Sequence, residues 1–328
     1  MKINLTLPTS WGTCTIEQLE QICMAQQVAM QLPADQQGMA WKVECFLRLA
    51  GLEVMEEQQK DEQGESFVVV RRTTPKGKEN ATAGKNGGET GQGEFRLYLW
   101  QIQYWVSENL AFLDTPPNVV RFPYPEWVHK GVKFKGPSLY CADWTWGQYR
   151  QVQDYWTYYF KMAEKLRDNG ITSSRYNAND NAQYQEATAM LLATLYTREV
   201  EFVDDTTHMV RKDYRFVPNQ STANKSFFLT VPDIRMAVVM MWWSTMVRRL
   251  VSKYPKCFPS PNKKEKKVKK PKMQDPLEEY ARTTATLEKY MGVNEQELQQ
   301  ETFTVVLQHL NDIIVHNEEM ERLNRKSK

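Results

Sequence analysis

The residues of this chain that could do chemistry are few and poorly placed for it. His309 and His316 lie seven residues apart on one face of a predicted helix, whereas a helical metal site prefers a spacing of three or four with carboxylates nearby. Asp204 and Asp205 are adjacent, which favours a turn over paired acid and base roles. We therefore predict no catalytic residue, no metal ligand and no cofactor. The protein is predicted not to be an enzyme, and an enzyme of unknown chemistry is the distant alternative.

Two further groups of residues could have a chemical role. They are a glycine- and lysine-rich stretch, which could bind phosphate, and five cysteines, which could bind zinc or form disulfides. In residues 84–86, Lys85 is followed by Asn86 where a phosphate-binding loop needs Ser or Thr, and no strand and helix frame the stretch. The cysteines lie far apart and include no CxxC pair, which indicates reduced thiols. Neither group predicts a phosphate site, a zinc site or a disulfide framework.

Membrane insertion is not predicted. The N-terminus has no apolar run of signal-peptide length. The most apolar segment, residues 236–246, is shorter than the roughly 20 residues that cross a bilayer. We therefore expect a cytoplasmic protein in which this segment is a buried helix.

Periodicity predicts a mainly α fold with an aromatic-rich helical body. A capping box of Thr15 and Gln18 begins a first helix, and a second helix is predicted over residues 35–50. A longer apolar helical pattern covers residues 143–170. Another extends to Leu250 from a helix start at Thr230, Pro232 and Asp233 that places Pro232 just inside the first turn. The chain contains 10 Trp, 15 Tyr and 13 Phe residues, which is enough to fill a sizeable aromatic core.

A small β-hairpin insertion interrupts this helical pattern. Residues 66–72 and 94–100 are short, with β-branched or alternating apolar residues, and predict a two-stranded ribbon over residues 66–100. The intervening residues 73–93 are almost without apolar side chains, which predicts a flexible hairpin tip. The proline-rich residues 113–137 are predicted to run extended along the surface of the body.

A lysine block at residues 263–272 divides the body from the C-terminal tail. It carries seven lysines and one glutamate, although the net charge of the whole chain is only +2. One interpretation is a solvated linker over residues 259–273, because like charges repel. A second, weakly indicated, is contact with nucleic acid or an anionic surface, and a third is a nuclear-localisation signal. The lysines concerned are Lys263, Lys264, Lys266, Lys267, Lys269, Lys270 and Lys272.

The predicted domains are therefore a body over residues 1–258, the linker, and a helix-turn-helix (αα-hairpin) module over residues 274–328. Gly292 interrupts the helical pattern of the module and Asn294 restarts it. Two interpretations stay open: the hairpin folds back on the body, or it is exposed and binds a partner or a second copy of the chain. Its second helix has a heptad seam, formed by Phe303, Val306, Leu310, Ile313, Asn317 and Met320.

Four aromatic residues lie off the apolar stripe of the helix that Asp143 is predicted to cap. They are Trp144, Trp146, Tyr155 and Tyr158. Trp and Tyr are enriched in the residues that dominate protein interfaces, so one interpretation is a partner-binding face that these residues form together with the tail seam. The other is that all four belong to the core.

Several motifs spread over most of the chain resemble a family of uncharacterised tail-module proteins of tailed phages and prophages of gut Bacteroidales-type bacteria. They are LPTSW at 7–11, RRT at 71–73, FLDTPP at 112–117, DWTWGQYRQVQDYW at 143–156, ATLEKYMG at 285–292 and MERLN at 320–324. The resemblance implies an assembly or structural role, partners among phage tail proteins of the tube or tape-measure type, and a location in the host cytoplasm or the virion. It brings no catalytic residues.

The function that these expectations favour is a non-enzymatic phage assembly protein, similar to a tail assembly chaperone. Such a factor keeps tail subunits apart before they polymerise, which requires an apolar contact surface and an arm that follows its client. The alternative is a minor structural protein of the neck or baseplate that contacts DNA through the lysine block.

Overall fold

A computed structural model describes residues 7–73, 94–168, 178–203, 207–217, 220–258 and 276–326. Within these residues the chain is mainly helical, as predicted, with ten α-helices and two small antiparallel sheets. It divides into two compact units. Unit 1 comprises Met1–Val119 and Asp233–Met241, and unit 2 comprises Val120–Pro232 and Trp242–Lys328.

Unit 1 combines three helices with a three-stranded sheet. The capping box predicted for the first helix is confirmed, because Thr15 Oγ1 accepts from Gln18 N at 3.2 Å and Gln18 Oε1 accepts from Thr15 N at 2.9 Å. The second helix ends before Gly51, whose φ of +64° is the left-handed conformation that favours glycine after a helix. The elements are α1 (Ile16–Ala29), α2 (Ala34–Leu49), β1 (Leu52–Lys60), β2 (Ser66–Arg72), β3 (Phe95–Tyr98) and α3 (Leu99–Asn109), with 3-10 turns at Trp11–Thr13 and Ala111–Asp114.

The sheet of unit 1 has the order β1-β2-β3 and is antiparallel throughout. Strands β2 and β3 are paired from Phe67 with Tyr98 to Val70 with Phe95, within the predicted ribbon. Strand β1 was not predicted, and the second ribbon strand is shorter than expected because α3 begins at Leu99. The predicted tip at residues 73–93 lies outside the described residues apart from Thr73.

Unit 2 contains the second sheet, of order β4-β5-β6-β7, and the longest helices of the described chain. Helix α7 begins in unit 1 at Asp233, one residue after the Pro232 that was predicted to lie inside its first turn, and continues in unit 2 from Trp242. The elements are β4 (Glu126–His129), β5 (Val132–Lys135), α4 (Trp146–Asp168), α5 (Ala178–Leu195), β6 (Thr197–Val203), β7 (Val210–Arg215), α6 (Gln220–Asn224), α7 (Asp233–Lys253), α8 (Pro276–Met291), α9 (Glu295–Gln300) and α10 (Phe303–Lys326), with 3-10 turns at Leu139–Cys141 and Lys225–Phe227.

The proline-rich segment differs from its predicted extended path over the surface. It contains strands β4 and β5, which pair with each other, and both Phe122 and Phe134 are buried. The Phe122 ring packs edge-to-face on Trp242 with centroids 4.8 Å apart. Gly136 permits this packing, since a Cβ atom there would lie 2.6 Å from Phe122 Cδ1. Phe122 and Phe134 therefore hold the part of the segment that belongs to unit 2 in the core of that unit.

The start of α4 also differs from the prediction. Asp143 was expected to cap the helix, but its carboxylate accepts hydrogen bonds from Ser138 N and Ser138 Oγ. The helix begins at Trp146 instead, and Thr145 Oγ1 accepts from Gln148 N at 3.2 Å. Thr145 is therefore the residue that caps the first turn.

Helices α8, α9 and α10 lie in the same compact unit as α4. Residues Glu301 and Thr302 separate α9 from α10 and pair with the chain just before α4, because Trp146 N donates to Glu301 O at 2.7 Å and Thr145 bridges Thr302. The predicted boundaries of body, linker and tail module stay a prediction, since residues 259–275 lie outside the described part of the chain.

Candidate partner-binding site

Two of the four predicted partner-binding aromatics are in the interior of unit 2. Trp144 and Trp146 are both buried. The Trp144 ring lies 6.0 Å from Phe303 and 6.1 Å from Trp243, and Trp146 lies 5.6 Å from Tyr149, measured between ring centroids. In this conformation the two indoles contact their own chain and are not available to a partner.

The other two predicted aromatics lie nearer the surface of α4. Tyr155 and Tyr158 are half-buried. Phe160, one turn beyond Trp156 on the same helix, is 47% exposed and packs against Trp156 with ring centroids 5.4 Å apart. Apolar surface on α4 is therefore present, although mostly at residues other than those predicted.

The heptad seam of α10 is divided between interior and surface. Phe303, Val306 and Ile313 are buried, and the Phe303 amide donates to the Trp144 carbonyl at 3.1 Å. Leu310 is half-buried, whereas Asn317 and Met320 are exposed. The seam thus packs within unit 2 along its first half, and only its end is open to a partner.

A pocket of about 310 Å³ lies between α4 and α7 in unit 2. Its walls include the indoles of Trp156 and Trp243, whose centroids are 4.8 Å apart with planes inclined by 33°. Thr157 and Val247 are exposed, so the pocket opens at the surface. The lining residues are Tyr149, Gln153, Trp156, Thr157, Trp243, Val247, Leu250 and Phe258.

Two polar side chains occur in this apolar lining. Gln153 Nε2 donates to the Tyr149 hydroxyl at 2.7 Å. Burial raises the pKa of Tyr149 well above its ordinary value, so the hydroxyl stays protonated at any physiological pH. The pocket therefore combines large aromatic walls with one neutral polar pair, a composition typical of binding sites for apolar groups.

These lining residues were not among the predicted site residues. Tyr149 and Trp156 belong to the stripe predicted to face the core, and both are buried. The only local signal was Gln153, a polar residue one turn from Tyr149 and close to that stripe. The opening itself depends on how α4 and α7 pack, which local sequence does not specify.

Unit 1 carries a different pocket and a pair of exposed aromatics. The pocket, of about 490 Å³, is lined by charged residues including Glu44, Arg48 and Glu53. The Arg48 guanidinium already donates to Glu44 at 2.7 Å, so its charges are matched internally. On α3, Trp100 and Tyr104 lie one turn apart and are 57% and 58% exposed.

The remaining predicted site residues add nothing to the pocket between α4 and α7. The seven lysines of the lysine block, like Asp204 and Asp205, lie outside the described residues. In the described part of the chain, no group of three or more His, Cys, Asp or Glu side chains is placed to bind a metal ion. Of the helices described, none has a stretch long and apolar enough to span a bilayer.

Comparison of the chain with protein-family models, with curated proteins and with solved structures found no match.

Proposed function

We propose that the chain is a non-enzymatic phage assembly protein, similar to a tail assembly chaperone, that binds tail subunits before they polymerise. The motifs at residues 7–11, 71–73, 112–117 and 143–156 support the phage assignment through their resemblance to tail-module proteins. The clients it implies are other tail proteins of the tube or tape-measure type.

The observation that carries the binding role is the pocket between α4 and α7. Single exposed apolar residues are normal on soluble proteins, so their number is a weak argument. A pocket walled by Trp156 and Trp243 and continued by the exposed Phe160 ring is more specific. Large aromatic side chains around a recess are typical of surfaces that hold one dominant side chain of a partner.

The position of the tail helices favours the same role. Because the first half of α10 is packed in unit 2, its exposed end, with Met320 and Leu323, is attached to a folded support. Apolar side chains presented from a rigid helix bind with a smaller loss of conformational entropy than the same side chains on a free segment. The end of α10 is therefore a second contact surface for a client.

Mass spectrometry of purified particles and of a lysate taken before assembly tests the proposal. A chaperone is bound to identified tail proteins in the lysate and absent from finished particles. A chain that stays in the particle at fixed stoichiometry is instead a structural protein of the neck or baseplate. A chain that binds no tail protein in either sample contradicts both assignments.

A further inference from the structure

The Tyr149 and Gln153 pair in the pocket has unused hydrogen-bonding capacity. In their mutual bond the amide of Gln153 donates and the hydroxyl of Tyr149 accepts. Within the described residues, no group accepts the Tyr149 proton and none donates to Gln153 Oε1. The second N–H of Gln153 is free as well, and if the Gln153 amide is rotated by 180° the roles exchange, so in either orientation the pair keeps at least one free donor and at least one free acceptor.

A pair that offers both free donors and a free acceptor selects the chemistry of a ligand. A carboxylate only accepts and an ammonium group only donates, so each would leave one member of the pair unmatched. A peptide group carries one N–H and one C=O. Since Tyr149 is buried, leaving its hydroxyl unmatched in a complex would be costly, and an amide meets both requirements.

The dimensions of the pocket favour a side chain over a larger molecule. Its volume of about 310 Å³ is at the lower end of the roughly 300–1,000 Å³ of pockets for small molecules. Apolar surface continues outside it at Phe160, which is 47% exposed, packs against Trp156 and is not part of the lining. A polypeptide segment covers such adjoining surface, whereas a ligand confined to the pocket leaves it in water.

The geometry points to a specific occupant: one large apolar side chain of a bound protein segment enters the pocket and packs against the wall formed by Trp156 and Trp243, and its adjoining peptide group pairs with Tyr149 and Gln153. This inference rests on the proposed function, because it names the part of a tail subunit that is held. The recognised feature is thus an exposed Phe, Leu or Met residue in a segment whose peptide group is still free.

Tryptophan side-chain NMR of the full chain tests this assignment without any tail protein. The probe is N-acetylphenylalaninamide, which contains one aromatic side chain and its peptide groups. The indole N–H signals are assigned with Trp156→Phe and Trp243→Phe. We expect the probe to shift both signals, and we expect N-acetylalaninamide, which lacks the large side chain, to leave them unchanged at the same concentration.

Three variants test the Tyr149 hydroxyl and the apolar space of the pocket separately. Tyr149→Phe removes only the hydroxyl and is expected to weaken probe binding by roughly three- to tenfold, while leaving the weaker binding of toluene unchanged. Val247→Phe fills the pocket and is expected to abolish binding. Val251→Phe is the matched control, since Val251 lies one turn away on α7 with the same 37% exposure but does not line the pocket.

Unshifted Trp156 and Trp243 signals would overturn the assignment. So would equal probe binding by Tyr149→Phe and the wild type, because the hydroxyl would then have no role. If Val247→Phe fails to fold, as judged from its other indole signals, Tyr149→Phe still decides. Probe binding without tail-protein binding supports the pocket and rejects the proposed function, whereas tail-protein binding that survives Val247→Phe supports the function and rejects the pocket.

Discussion

The packing of the C-terminal helices in unit 2 predicts a large destabilisation by Phe303→Ala. Phe303 is 1% exposed, and its ring centroid lies 5.1 Å from Tyr149 and 6.0 Å from Trp144. Truncation of a buried Phe to Ala lowers the free energy of unfolding by about 3–5 kcal/mol, through lost burial and the cavity left behind. We expect a loss of this size in urea unfolding followed by the fluorescence of the ten tryptophans, one of which, Trp144, packs against Phe303.

Leu323→Ala is the control on the same helix. Leu323 is 59% exposed, so its truncation should change the free energy of unfolding by less than about 0.5 kcal/mol. If Phe303→Ala unfolds at the same urea concentration as the wild type, α10 is not part of the core of unit 2. The tail would then be the separate module that the heptad pattern also allows.

Three further predictions concern two glycines, one aspartate and the five cysteines. Gly136→Ala should destabilise the protein by about 1–3 kcal/mol, because its Cβ would meet the Phe122 ring. Gly38→Ala, inside α2 with open space around it, should instead stabilise the protein by about 0.5–1 kcal/mol. Thermal denaturation should therefore show a lower melting temperature for the first variant and a higher one for the second. Partial desolvation raises the pKa of Asp154, although the residue is exposed, so Asp154→Asn should raise the melting temperature only slightly at pH 7. This gain should disappear as the pH falls below the ordinary carboxyl pKa of 3.8. Burial also raises the pKa of all five cysteine thiols. A thiol reagent at pH 8 should therefore react slowly with the native protein and rapidly after unfolding. Fast reaction of the native protein would contradict the burial of these thiols.

Sequence patterns predicted elements whose signals are local. The start of α1 depends on Thr15 and Gln18, three residues apart, and both hydrogen bonds are present. The start of α7 was predicted to within one residue, because Pro232, predicted inside the first turn, is the N-cap and the helix begins at Asp233. In both cases the residues that determine the helix start are adjacent or nearly so, and no distant contact is needed.

The elements that sequence patterns missed depend on distant partners. Strand β1 (LEVMEEQQK) lacks a clear alternation, and its pairing with β2 is irregular at two points. The interruption between α9 and α10 arises because Glu301 and Thr302 pair with residues near Trp146, more than 150 residues earlier. A heptad count cannot detect such a contact.

The candidate site was also predicted only in part, because it depends on contacts between distant residues. The aromatic residues of α4 were recognised, but which of them face solvent depends on the position of α7 and of Phe303. Trp144, outside the predicted stripe, is buried against Trp243 and Phe303, whereas Trp156, inside the stripe, forms one wall of an open pocket. Burial of a side chain and access to a pocket are both set by packing between helices rather than by spacing within one.

We propose that the chain holds tail subunits through the pocket between α4 and α7 and is released before assembly ends. The most direct measurement is quantitative mass spectrometry of tail proteins bound to wild type, Val247→Phe and Val251→Phe, together with purified particles. We expect identified tail proteins with the wild type and Val251→Phe, their loss with Val247→Phe, and no chain in the particles. Retention of tail proteins by a folded Val247→Phe variant, or a fixed number of copies in each particle, would contradict the account.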